Sequence, residues 1–229
     1  MIASVHIANI GAGKALGVLR KAPRPDSTPG LLTANVAATA PLSGSVWPSP
    51  DFGRVGLIAF WENDDAIDRF LAHDPMAAKL AGGFHVRLEP LRAHGSWPGL
   101  PADVPKARTV QHDGVAAVLT LGRTRVSQLP RFLRTSAKAE ARAIEAPGLI
   151  WATGLARPPF FATFSLWQST ERLSTYAYGV DEPAHRDAIA EGQSKEFHHQ
   201  SAFIRFRPYV AEGGLAGKNP LPESWMSNA

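Results

Sequence analysis

Pro147-Gly148-Leu149-Ile150-Trp151-Ala152-Thr153-Gly154-Leu155 opens on a tripeptide that the chain has already used at Pro29-Gly30-Leu31, 118 residues earlier. The same interval separates Arg87 from Arg205, Pro90 from Pro208, Gly95 from Gly213 and Gly99 from Gly217. Recurrences at one spacing mark a duplication. Element order repeats around these anchors. In the first half, Ser4–Asn9 reads as a strand and Leu16–Lys21 as a short helix ended by Pro23 and Pro25. Leu31–Ala38 and Arg54–Trp61 read as strands. Asn63-Asp64-Asp65 caps a helix with Ile67, Phe70 and Leu71 on one face, and Phe84–Glu89 is a fourth strand. The second half offers the strand Val115–Leu121, a helix over Leu129–Glu145, the strands Leu149–Leu155 and Phe161–Trp167, helical segments through Phe197, and a last strand, Ala202–Arg207. Strand, helix, strand, strand, helix, strand is the ferredoxin-like order. A four-stranded sheet with helices on one side leaves its other face bare, so two such units bury those faces against each other. The expected fold is therefore α+β: duplicated ferredoxin-like units, residues 1–105 and 106–229, forming a pseudo-dimeric α+β barrel.

Composition bounds the function. The chain has 229 residues, 45% hydrophobic and 19% charged, enough for a substantial core and too apolar for disorder. No window reaches the roughly 18 apolar residues of a membrane span, and the N-terminus lacks signal-peptide order, so a cytoplasmic protein without stable membrane insertion is expected. The absence of cysteine removes disulfides, thiolate nucleophiles, iron–sulfur clusters and thiolate-ligated haem, and leaves histidine as the candidate metal or haem ligand. A net charge of +4 raises the question of nucleic acid. Arg123, Arg125, Arg131, Arg134, Lys138 and Arg142 lack the aromatic interleaving of single-strand binders, so they read as a solvated helix face and no nucleic-acid partner is expected. Gly11-Ala12-Gly13-Lys14 is no phosphate loop, since Ala15 follows the lysine; its glycines read as turn residues.

Among the eight histidines, His185 stands out. It starts an amphipathic helix on which steps of three, four and seven reach Ala188, Ile189 and Gly192, while Asp187, Glu191 and Lys195 fall on the opposite side. Two readings fit this face: a half-buried cap histidine, or a ligand to a flat apolar cofactor with room beside the imidazole. His198 and His199, adjacent on the same helical stretch, point about 100° apart and read as surface residues. His6, His85 and His112 fall near strands or turns and His73 and His94 in loops. None has the i, i+4 partner of a helical zinc site, and no Gly-x-Ser-x-Gly elbow follows a strand. Strand alternation puts Thr163, Ser165 and Trp167 on one face, Trp151 and Thr153 on one face, and Phe203, Arg205 and Arg207 on one face. Together they would line an apolar pocket with few hydrogen bonders, in the second half.

From Pro147 to Pro220 the chain resembles the spheroidene monooxygenase family of carotenoid enzymes. The likeness runs through Pro147–Ala156, Ala162–Trp167, Tyr176-Ala177-Tyr178-Gly179, His185 with Ala188-Ile189, Phe203–Phe206, and Glu212-Gly213 with Gly217 and Pro220. The first half joins through Phe60-Trp61 and His94–Gly99. Leu215, where a Trp is expected, and Gln193-Ser194-Lys195, where an aromatic is expected, depart from the pattern. The resemblance implies one haem b on His185, with Trp151, Trp167, Tyr178, Ile189 and Phe203 around it and Arg205, Ser165 and Thr163 as catalytic candidates. It implies oxygenation of a hydrophobic small molecule, carotenoid- or terpenoid-like. Arg205 keeps two readings, partner of a haem propionate or distal ligand, and member of a structural ion pair like its counterpart Arg87. Related barrels include the haem-containing aldoxime dehydratases and chlorite dismutases. Dehydratase or peroxidase chemistry, a cofactor-free barrel monooxygenase and a non-catalytic haem or apolar-ligand carrier are therefore the alternatives. Any homo-oligomer would use outer surfaces.

Overall fold

The computed structural model describes residues 1–47, 49–107, 110–178, 197–222 and Trp225, with the backbone alone at Tyr178. The first half runs β1 (Ile2–Asn9), α1 (Ala12–Arg20), β2 (Leu31–Pro41), β3 (Asp51–Trp61), α2 (Asp64–His73), α3 (Pro75–Leu80) and β4 (Phe84–Gly95). The second runs β5 (Ala116–Thr124), a 3-10 turn, α4 (Leu129–Ile144), β6 (Leu149–Arg157), β7 (Phe160–Trp167), α5 (Thr170–Tyr178) and β8 (His198–Gly213). The strands close into one barrel in the order β1-β3-β2-β6-β7-β5-β8-β4, every neighbour antiparallel. Each half contributes the ferredoxin-like order 4-1-3-2, and the halves meet at β2–β6 and β4–β8.

The recurring residues occupy equivalent places. Leu31 pairs with Trp61 as Leu149 does with Trp167, and Arg87 faces Ser4 as Arg205 faces Val118. Gly95 and Gly213 have φ of 86° and 68°, and a Cβ there would lie 2.3 Å from the Ser201 carbonyl and 2.0 Å from that of Gly83. The conformation and the crowding each demand glycine, which is why both copies carry it.

Several strands outrun their sequence-based bounds. β2 continues through Pro41 because Ala38–Pro41 pairs with Thr153–Ala156 of the other half. β4 and β8 pass through Pro90 and Pro208, because they pair with each other from Phe84–Gly213 to Gly95–Ala202, with register shifts near each proline absorbing the missing N–H. Gly13, expected in a turn, lies in the first turn of α1; Gly11, at φ 78°, makes the bend instead. His198 and His199, expected on a helix, begin β8.

Alternation separates two sides of the sheet. The barrel interior is filled by Val5, Ile7, Phe60 and Leu88 from the first half and Leu119, Phe164, Leu166 and Phe206 from the second. It is packed core. The outer face of the first half packs under α1–α3 through Val18, Leu57, Trp61, Ile67, Phe70 and Leu80. Asn63 caps α2, accepting from Ala66 N at 3.1 Å, and Asp74 caps α3, accepting from Met76 N at 2.7 Å. Arg87 of β4 donates to Asp64 and Asp68 of α2, and Tyr209 of β8 donates to Asp64 at 2.8 Å, tying the halves together.

Beneath α2, His6 and His85 stack at 4.6 Å with planes 6° apart, and His6 Nε2 lies 3.1 Å from Ser4 Oγ. Burial lowers both pKa values, that of His6 further, with His85 and Arg87 adding to it; at His85, Glu212 partly offsets the effect. In the unfolded chain both rings take up protons as the pH falls through the usual value of 6.5, whereas the folded protein resists. Stability is therefore fully present above that pH and declines below it. Urea midpoints should fall from neutral pH to pH 5 (about one to two units below the usual histidine value), and His6→Gln should flatten the slope. A midpoint independent of pH would contradict the assignment.

We propose that residues 1–105 and 106–229 are the duplicated units. Each alone would expose the edges of two strands and one bare sheet face. Expressed separately, each should self-associate or be unstable, and mixing should give a 1:1 particle by sedimentation. Two stable monomers would refute the division.

Candidate functional site

The two outer faces of the barrel differ. Among the described residues the first-half face buries fifteen apolar side chains, whereas the second-half face buries Ala116, Ala137, Trp167, Leu173 and Phe197. α4 buries only Ala137. The centre of the second face is formed by three rows across β7, β5 and β8: Ser165–Val118–Arg205, Thr163–Thr120–Phe203 and Phe161–Gly122–Ser201. Hydroxyls, one cation and aromatic rings thus lie side by side on a sheet face, which is the rigid platform that a binding site needs.

The rows bring together Thr163, Ser165, Phe203 and Arg205, with Trp167 at the end of β7 on the same face. Trp151 and Thr153 stand elsewhere. The register shift between Leu149 and Trp151 turns them to the barrel interior, where Trp151 pairs with Leu166 and lies edge-on to Phe164 at 6.2 Å. Thr153 donates to the Ala40 carbonyl at 3.1 Å. The single pocket expected to combine Trp151 and Thr153 with Trp167 is therefore divided by the sheet itself. His185 and Ile189 lie outside the described residues, as does the side chain of Tyr178. The chain leaves this face at the end of α5 and returns to it at Phe197, so the described ends of the segment that holds them flank the site.

Ser165 has a defined partner. Its Oγ accepts from Trp167 Nε1 at 2.9 Å, and Trp167 stacks on Tyr176 at 4.8 Å. Ser4 accepts from Trp61 Nε1 at the same distance, and Trp61 packs on Phe70. The pairing is an architectural pin present in both halves, and it holds β7 to α5. Tyr176 reaches on to the Ala139 carbonyl of α4 at 3.3 Å, and burial raises its pKa.

Arg205 is 6% exposed. Its counterpart Arg87 forks onto Asp64 and Asp68, three and seven residues after Trp61. Three and seven residues after Trp167 stand Thr170 and Ser174. The carboxylate fork that explains Arg87 is not repeated on α5.

His198 is the residue that sequence reasoning placed wrongly. Rather than a surface side chain, it is half-buried: Phe132 lies edge-on at 5.0 Å, Phe132 in turn packs on Phe161 at 5.2 Å, and Nδ1 lies 3.1 Å from Thr124 Oγ1. Burial, with Arg125 nearby, lowers its pKa, so the ring is neutral at pH 7. Room for it comes from Gly122, where a Cβ would fall 2.6 Å from His198 Cε1. An isolated glycine inside the strand Ala116–Thr124 was the available signal. His199 is exposed. Among the described residues no group of three His, Asp or Glu side chains could hold a metal ion, and no helix is long and apolar enough to cross a membrane.

No protein-family model matches the chain. Spheroidene monooxygenase of Rubrivivax gelatinosus is 32% identical over 175 residues, which make up 74% of this chain and 66% of that protein. The chain thus spans about two thirds of that relative's length. Spheroidene monooxygenase of Rhodobacter capsulatus is 25% identical over 181 residues, 76% of this chain and 74% of that protein. Among solved structures, an aldoxime dehydratase in complex with butyraldoxime superposes with a TM-score of 0.50 at 8% identity, over 91% of this chain and 79% of the other, a likeness of fold alone. Identity spread over three quarters of the chain, carried on a closed antiparallel α+β barrel, makes the chain similar to the spheroidene monooxygenases.

Proposed function

We propose that the chain is a haem-dependent monooxygenase for a hydrophobic small molecule, carotenoid- or terpenoid-like, working on the outer face of the β7–β5–β8 sheet. The observation that carries this reading is the make-up of the second outer face, where Thr163, Thr120 and Phe203 lie in one row across β7, β5 and β8 beside the buried Arg205 of the next. The described residues suit a haem: the platform is flat and mostly uncharged, and Arg205 is a buried cation placed to meet a propionate. His185, from the segment beginning after α5, would hold the haem iron. When bound, haem supplies activation of dioxygen or peroxide. The protein's own part is to bind and orient: Phe203 and Phe161 contact hydrocarbon, Thr163 and Thr120 offer a hydrogen bond to a lone polar group, and the apolar surroundings exclude water. Inserting one oxygen atom from dioxygen requires two electrons from an external reductant, and the second oxygen leaves as water.

A second reading rests on His198. Its neutral ring, oriented by Thr124, is a general base for a cofactor-free oxygenation of an acidic aromatic substrate on the same face. The visible spectrum separates the two. In the haem reading, hemin titrates to one per chain with a histidine-type Soret band that His185→Ala abolishes and His198→Ala preserves. Retention of the band in His185→Ala would refute the ligand assignment.

Turnover under labelled dioxygen tests the chemistry. With reductant and a hydrophobic substrate library, label is expected in the product, and Thr163→Val should lower turnover with little change in folding. Product formed without any oxidant, or with the label only in water, would place the protein with dehydratases or peroxidases instead.

A further inference from the structure

The barrel end at the β6–β7 turn holds polar side chains that the outer-face site does not use. Arg123 of β5 continues the interior row of Leu119 and Leu121, pairing with Phe160 on one side and Gln200 on the other. Its Nη1 donates to Gln200 Oε1 at 2.9 Å, and its guanidinium lies over the Trp97 ring at 5.0 Å. Beside it opens a cavity of about 160 Å3 lined by Asn35, Arg123, Arg157, Phe160 and the Pro158-Pro159 turn. No carboxylate is in this lining. Asn35 Nδ2 is buried without an acceptor, and so is the Nε1 of Trp97, whose ring packs against both Arg123 and Phe160.

The duplication supplies an internal control. At the opposite end, Asn9 stands at the position of Arg123, Leu215 at that of Trp97, Thr153 at that of Asn35 and Thr39 at that of Arg157. Both threonine hydroxyls there have backbone acceptors, the carbonyls of Ala40 and Arg54. The buried Nε of Arg54 at that end lacks a hydrogen bond but lies 3.6 Å from the Asp51 carboxylate, so the donors there have an acidic neighbour that the Arg123 cavity lining does not. Each buried donor left without an acceptor costs roughly 1–3 kcal/mol, so this end is built for a guest that brings acceptors and negative charge. Pockets for larger organic ligands begin at about 300 Å3, which limits the guest to a compact ion.

We propose that this cavity binds a small oxyanion, carboxylate or phosphate in kind, with Arg123 as its charged anchor and the Asn35 amide as a second donor. Trp97 holds the guanidinium in place from below, and Gln200 fixes its orientation. The test is calorimetric titration of the full chain with inorganic phosphate and, separately, acetate, against chloride at matched ionic strength. Saturable binding of either ion at one site per chain is expected, and which arm responds identifies the source of the oxyanion. Arg123→Met keeps the stem over Trp97 and should weaken binding about tenfold or more, while Arg24→Met, in an exposed pair with Asp26, should leave it unchanged. No saturable response to either ion, or wild-type affinity in a folded Arg123→Met, would overturn the proposal. Should Arg123→Met not fold, Asn35→Leu decides, since unchanged affinity there overturns it equally.

Discussion

Two inter-half strand pairings, β4 with β8 and β2 with β6, are what the rest of the molecule depends on. They consume the edges that a lone ferredoxin-like sheet would leave open and drive both bare faces into one shared interior. Once that interior is packed with Phe60, Leu88, Phe164 and Phe206, a large ligand has no place inside the barrel. The proposed site accordingly lies on the outer face of the β7–β5–β8 sheet. The prolines show how strong the constraint is. Pro90 and Pro208 would ordinarily end a strand, yet β4 and β8 run past them with shifted register, because each continues to find its partner in the other half.

Duplication gives two outer faces of common origin with different occupants. The tryptophan survives in both copies, bonded to a serine of β1 in one and of β7 in the other, as do the positive-φ glycines at the strand ends. The arginine survives too, but its surroundings have diverged. Arg87 is locked between two aspartates of α2, and Tyr209 adds a third bond to Asp64, which makes that arginine part of the scaffold. On α5 the corresponding residues are Thr170 and Ser174, so that helix offers no matching pair of aspartates. The same divergence separates the barrel ends, where Arg123 and Trp97 face Asn9 and Leu215 in the other copy.

How far the site could be read in advance follows from the range of the forces involved. Thr163, Ser165, Phe203 and Arg205 were found from alternation because adjacent strands in register keep one parity over their length. Trp151 and Thr153 were assigned to the wrong side because one register shift reverses parity, and the shift arises from pairing with β7, which no local pattern reports. His198 was taken for a surface helix residue because the run before β8 has helical character, and the ring's true neighbours, Gly122, Thr124 and Phe132, are more than sixty residues away in sequence.

By itself the sequence determined the architecture: a recurring interval, glycines at matching positive-φ positions of the two halves, and apolar alternation are local properties that survive in any window long enough to hold them. Tertiary structure alone decided which way each face looks, how the two outer faces differ, and which polar groups end up without a partner. Those outcomes rest on contacts between segments a hundred residues apart, where a single shifted hydrogen-bond register or an omitted Cβ at Gly122 changes what a side chain meets without leaving a periodic trace in the chain.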